Sequence, residues 1–516
     1  MEFETHRPPR CSGRGDRYLP EAIRDVERFL VSAQRSLKYD TLRLQKTKLE
    51  ELAHVLVEFA EDIRNEVGLW RSIEEHNIEL FGTPLPLVQG LNEGEKQKGV
   101  SQPRIRHFLW VLYCELLPEL IISPSHQDLC MLTDQIADFL RKRFASIPRE
   151  SGVKMFLSEP NEFGWDVKTK LLWLGRHSYL LRHNFENYIE ANGGTPEIPI
   201  IDDFVCQHAT SWSGLGVTDI LAATLPITEE ERADLRSWYA RHFAYFRVLR
   251  VTGPTMEVEN IINGKVYLVR LREPAKQFQF DQVILGSLVP WRGEWYWSGK
   301  QSILNKVSDD LIRELRDDFH KKSPAIAYRY CDDLAEKARE RVGVHYREFV
   351  EYYGDDMVVY PDGLTMAADF QKRQRPRYES LSKEALANLI RKHNLPGASP
   401  RITLPPHLLE DSSGIGVYFN PEEGMEIMTG FHTIVEGFQK KGVNLSEDQE
   451  NGIRSFISSA STSPGFVKKM IQQYGDESIA SAFLIRGYQD KSYVDYLLHR
   501  YKGHFYRKRY PSISFV

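Results

Sequence analysis

Residues 241–302 read RHFAYFRVLRVTGPTMEVENIINGKVYLVRLREPAKQFQFDQVILGSLVPWRGEWYWSGKQS, the stretch of this chain in which strand signals run back to back. Phe243, Tyr245, Arg247 and Leu249 alternate with Phe246, Val248 and Arg250, the period of two that sends successive side chains to opposite faces of a sheet. Thr252-Gly253-Pro254 interrupts the run, because proline has a fixed φ and no amide proton to pair. TMEVENII (255–262) and KVYLVRL (265–271) flank Asn263-Gly264, a pair that tolerates the positive φ of a two-residue type I′ loop. Val283 to Val289 and Trp295 to Ser298 follow, separated by a turn at Trp291-Arg292-Gly293-Glu294. About five short strands in about sixty residues predict a small antiparallel β-barrel of SH3-like or OB-like size. On this reading Val258, Val269, Leu285 and Val289 share one core.

On both sides of the barrel the apolar period is helical. Ile23, Val26, Phe29, Leu30, Ala33 and Leu37 trace one stripe, and Leu49, Leu52, Leu56, Phe59, Ile63 and Val67 a second. Thr228 to Glu231 is a capping box, and Ser446 to Gln449 is another. QKRQRPRY (371–378) has the composition of a basic linker. Asn420-Pro421-Glu422-Glu423 reads as a helix start ahead of the stripe Ile427, Met428, Phe431, Ile434, Val435 and Phe438. Residues 90–103 read as an exposed polar loop. The expected fold class is α+β: a mainly helical multidomain chain with an embedded five-stranded antiparallel barrel. Its expected domains are 1–235 (helical), 236–302 (barrel), 303–405 (helical connector with a short strand) and 406–516 (helical, with a basic-aromatic tail).

Composition excludes several classes. With 41% hydrophobic and 27% charged residues among 516, the chain is neither disordered nor built of long apolar spans. Its densest apolar run, FLWVLYCELLPELII (108–122), contains Glu115, Pro118 and Glu119 and is shorter than the roughly 20 residues a bilayer requires. Five scattered cysteines without a C-x-x-C suggest reduced thiols, and a charged, proline-containing N-terminus lacks an apolar leader core; a cytoplasmic location without membrane partners is expected. A net charge of −5 confines any nucleic-acid contact to a local patch.

Trp291, Trp295 and Trp297 stand close together near the barrel's end. Barrel closure can use such rings, each burying about 150–250 Å²; exposed, they would form a platform for a nucleobase, a proline-rich peptide or a partner strand. The tail interleaves Arg500, Lys502, Arg507, Lys508 and Arg509 with rings that include Tyr506 and Tyr510, a mixture suited to phosphate contact and base stacking. The alternative is a packed tail whose cations face acidic neighbours. These ten residues are the candidate binding set.

One enzymatic reading competes. His177, His183, Asp202, Asp203 and His208 would form a hydrolytic metal centre if the helices brought them together. Tyr353-Gly354-Asp355-Asp356 matches the residues with which viral RNA polymerases hold metal ions, but Tyr346, Phe349, Val350 and Tyr353 approach it with helical spacing, which predicts a turn. Gly293 to Ser302 departs from a phosphate loop by one extra residue and by Gln301 at the hydroxyl position. No H-E-x-x-H or G-x-S-x-G occurs. The expected function is non-catalytic binding of a protein partner or nucleic acid, with no cofactor; the alternative is a metal-dependent hydrolase.

Overall fold

The computed structural model describes residues 3–511 except 40–41, 89–98, 118–119, 242, 274–277, 306, 323, 330, 383, 386, 389–403 and 486–491. Most of the expected loop at 90–103 therefore lies outside the described residues. Two compact units are present: residues 1–334 together with 483–508, and residues 335–482 together with the segment that starts at Arg509.

The first unit combines helices with the barrel. Its helical core is aromatic. Phe59, from the helix Lys46–Asn65, stacks on Phe108 at 4.5 Å and meets Trp70 edge-on at 5.1 Å, and Trp70 meets Trp212 at 5.7 Å. The helix Ser492–Lys502 joins this core from the far end of the chain, with Tyr496, Leu497 and Leu498 buried and the Tyr496 ring 5.6 Å from Phe81 and 5.8 Å from Trp110.

β1 (Phe243–Thr252), β2 (Thr255–Asn260), β3 (Val266–Arg270), β4 (Val283–Trp291) and β5 (Glu294–Leu304) close into a barrel in the order β1-β2-β3-β5-β4. The expected all-antiparallel arrangement is corrected at one place: β3 and β5 run parallel, pairing Val269 with Trp295. Five strands closed in a ring cannot alternate direction all the way round, so one parallel pair is unavoidable.

The turns also differ in detail. Asn263-Gly264 is not a two-residue loop; residues 261–265 join β2 to β3, with only Gly264 of that pair left-handed (φ 72°). Ile261 and Ile262 are buried, and Asn260 Oδ1 accepts from the Ile262 N–H at 2.9 Å, so burial of two side chains outweighs the local turn preference. The true type I′ loop is Arg292-Gly293, φ 51° and 78°, between the paired Trp291 and Glu294. Register separates the expected core. Val258 opposes Val248 on the Phe246 face, whereas Leu285 opposes Tyr245 and Val289 opposes Tyr296 on the other. In β4 the inward residues are Ile284 and Leu288, one position away from those expected.

In the second unit, β6 (Met357–Tyr360), β7 (Ile415–Asn420) and β8 (Gly424–Thr429) form an antiparallel sheet in that order. Val342, Phe349, Tyr360, Met366, Phe370, Val417 and Phe419 cluster against it. Two expectations fail here. Asn420 starts a hairpin rather than a helix, its Oδ1 accepting from the Glu422 N–H at 3.0 Å, because β8 pairs with β7 and the helix begins only at Phe431. Residues 371–378 belong to the helix Gly363–Glu379, which carries Pro376 within it.

Candidate functional site

The barrel's one parallel seam makes an opening. β3 and β5 pair at Val269 and Trp295, one residue before β3 ends. Arg270, Arg272 and Glu273 line one bank of the gap, Tyr296, Trp297 and Gln301 the other, and the first turn of the helix Gly164–His177 brings Gly164, Trp165 and Lys168 across it. The cavity has a volume of about 460 Å³, within the usual range of small-molecule sites.

Local chemistry positions each wall. The helix starts at Gly164 because Asp166 accepts from the Phe163 N–H at 2.9 Å, satisfying one free amide of the first turn. Glycine is required there: a Cβ on Gly164 would stand 2.6 Å from the Tyr296 ring. Trp165 meets Tyr296 edge-on at 5.4 Å and stacks on Phe163 at 4.6 Å. Lys168 lies three residues from Trp165, on the same helical face. Trp297 meets Phe246 edge-on at 5.6 Å, and its buried indole N–H has no partner.

Beneath the cavity lies an ionic network. Asp202, from the helix Ile198–Gln207, accepts from Lys168 Nζ and from Ser298 Oγ (2.9 Å) and pairs with Arg241 Nη1 at 3.1 Å. Burial alone would push the Asp202 carboxyl up, but Lys168 and Arg241 outweigh it and hold the group below its ordinary range. Asp203 pairs with the same Arg241, which also donates to Ser287 Oγ at 2.9 Å. Helix and barrel are thus tied through charges that are already matched.

The sequence candidates are distributed as follows. Trp291 is buried, its indole donating to the Asn161 carbonyl at 3.2 Å. Trp295 is half-buried and meets Tyr267 at 4.7 Å inside the barrel; among the three tryptophans, Trp297 lines the cavity. Arg500 and Lys502 are buried. Arg507 pairs with Asp219, Lys508 with Asp332 (3.2 Å), and Arg509 Nε with Glu423 (2.8 Å). Tyr506 stacks on His499 at 3.6 Å, and Tyr510 is half-buried. Arg507, Lys508 and Arg509 thus face acidic neighbours.

Of the five metal candidates, the three histidines have separate contacts, while Asp202 and Asp203 meet at Arg241. His177 lies 6.4 Å from His6, ring to ring; His208 stacks on Phe204 at 5.2 Å; Asp202 and Asp203 serve Arg241. Among the described residues, the group whose possible ligand atoms all lie within 4.8 Å is Glu51, His183 and Glu186. In the second unit, Gly354 (φ 75°) ends the helix Asp332–Tyr353, and Asp355 and Asp356 both pair with Lys469, at 2.6 and 2.7 Å. Sequence reading missed Trp165, Lys168, Arg270, Arg272 and Phe278. The available signal was Arg270-Leu271-Arg272, two cations alternating out of a strand end, and a Trp-x-x-Lys spacing at a glycine-started helix.

A family described as a protein of unknown function (DUF3843) is similar to this chain over residues 40–193, which include the first turn of the Gly164–His177 helix and much of the aromatic core. No curated protein and no solved structure matches the chain. No helix among the described residues is long and apolar enough to cross a membrane.

Proposed function

We propose that this chain is a binding protein whose ligand has a flat aromatic body and negative charge, the chemistry of a nucleotide, and that the ligand sits where β3 and β5 part. One observation carries the reading: Trp165, Phe278, Tyr296 and Trp297 surround a cavity of about 460 Å³ together with Lys168, Arg270 and Arg272, against one carboxylate, Glu273, among the described lining residues. Rings of this kind stack on heteroaromatic bases, and guanidinium groups suit phosphate. The partnerless indole N–H of Trp297 supplies a donor for a base or sugar oxygen. Lys168 and Arg270 already have partners in Asp202 and Glu294, so the exposed Arg272 is the group with most charge to offer.

Calorimetric titration of the full chain with mononucleotides, and separately with short single-stranded oligonucleotides, tests this. Saturable mononucleotide binding is expected, weakened by about 1–3 kcal/mol in Trp297→Ala through lost stacking. Arg272→Ala should weaken it and flatten its dependence on salt. Binding of oligonucleotides without any mononucleotide binding would assign the cavity to nucleic acid instead; no binding of either would remove the proposal.

A further inference from the structure

A second cavity of the first unit, about 430 Å³, lies between the helices Gln102–Leu116 and Arg182–Ala191 and the returning helix Ser492–Lys502; Glu115, Asn184, Tyr188, His208, Ser211 and Arg500 are among its lining residues. Arg500 decides its character. The residue is 6% exposed, its guanidinium carbon lies 5.2 Å from the Trp110 ring centroid and 5.5 Å from that of Tyr501, and neither Nε nor Nη1 has a hydrogen-bond partner. Rings offset part of the charge but accept no in-plane hydrogen bond, so a buried cation is left incompletely compensated.

The other lining groups are arranged around it. Asn184 Nδ2 donates to Glu115 Oε1 at 2.7 Å, Ser211 Oγ donates to the same oxygen, and Asn184 Oδ1, also buried, has no partner. Burial pushes the Glu115 carboxyl up, which favours its neutral form, and lowers His208 to about 4, so that its imidazole is uncharged at neutral pH. Among its described lining residues the cavity therefore offers one positive charge, an orphaned acceptor and no second cation.

We propose that this cavity binds a small monocarboxylate that also carries a hydrogen-bond donor, as an amino acid or hydroxy acid does, with the carboxylate on Arg500 and the donor on Asn184 Oδ1. A single guanidinium matches one negative charge; a phosphate dianion would call for a second cation and would lie against Glu115. The site is separate from the cavity at β3 and β5, and neither reading depends on the other.

Calorimetry and thermal shift of the full chain against a panel of amino acids, hydroxy acids and simple carboxylates, with inorganic phosphate alongside, provide the test. Saturable binding of a donor-bearing carboxylate is expected, weaker by at least about tenfold for its analogue without the donor. Arg500→Met should abolish the response while leaving the ligand-free melting temperature equal or higher, because a buried charge kept for a ligand costs the empty protein stability. Ala191→Trp, at an exposed lining position, should block binding in a chain that folds normally. The proposal is overturned if no carboxylate saturates the full chain up to about 10 mM, if phosphate binds in preference to all of them, or if Ala191→Trp binds as the unaltered chain does.

Discussion

At the scale of the residue, the buried ion pairs carry the sharpest consequences. Asp202 is 3% exposed and serves Lys168, Arg241 and Ser298 at once. Removing it takes the buried carboxylate from Lys168 and leaves Arg241 with Asp203 as its acidic partner, so Asp202→Ala should lower unfolding free energy by about 3 kcal/mol, measured by urea titration at pH 7. Its carboxyl titrates below its ordinary value in the fold, so the contribution is present above pH about 4 and is lost as pH falls through the folded value. His107 acts at a higher pH. It is 1% exposed, its Nδ1 lies 3.1 Å from the Pro86 carbonyl, and burial, with Arg500 nearby, lowers it to about 3. The unfolded chain takes up that proton near pH 6.5 and the folded chain does not, so stability is complete above that pH and declines below it. The cost at pH 5 is about 2 kcal/mol for this one group. Denaturant midpoints at pH 7 and pH 5 should differ less in His107→Gln than in the unaltered chain; an equal difference would contradict the assignment.

At the scale of the element, the helix Gly164–His177 and β5 meet so closely that the junction admits no extra atom. A Cβ at Gly164 would lie 2.6 Å from the Tyr296 ring, which is held between Trp165 and the barrel wall and cannot step aside freely. Gly164→Ala should therefore cost about 1–3 kcal/mol, although alanine is the better helix former, and should weaken any ligand of the neighbouring cavity. Thermal unfolding together with nucleotide titration reads both effects. Element types were largely legible in the sequence: strand alternation at 243–251 and the capping boxes at Thr228 and Ser446 all appear where their local chemistry puts them. Where local chemistry and burial compete, burial decides. Ile261 and Ile262 displace the Asn263-Gly264 loop, and the pairing of β8 with β7 converts an apparent helix start at Asn420 into a turn.

At the scale of the whole molecule, the chain's end completes its beginning. Residues 483–508 belong to the same compact unit as residues 1–334. There Gly503 and Gly214 touch backbone to backbone, so closely that a Cβ on Gly503 would lie 2.4 Å from the Gly214 Cα. A chain ended after Ala482 should lose the cooperative unfolding of the first unit, and Tyr496→Ala in the full chain should cost about 3–5 kcal/mol. Near-UV circular dichroism and limited proteolysis check both; a truncated chain as resistant as the full one would refute the packing role.

What this sequence determined alone is what depends on near neighbours: helix and strand periods, caps, the hairpin signals of the barrel and the helical approach that makes Asp355-Asp356 a turn. Tertiary structure alone decided which side chains meet. Arg500 and Lys502 look like the rest of the basic tail, yet their helix is buried while Lys508 reaches Asp332 at the surface. Trp165 and Trp297, 132 positions apart in the chain, share a cavity only because a five-membered ring of strands must contain one parallel seam and that seam opens beside a helix start. Local signals arise from backbone and side-chain preferences within a few residues, whereas a site is made by long-range packing that no periodicity records.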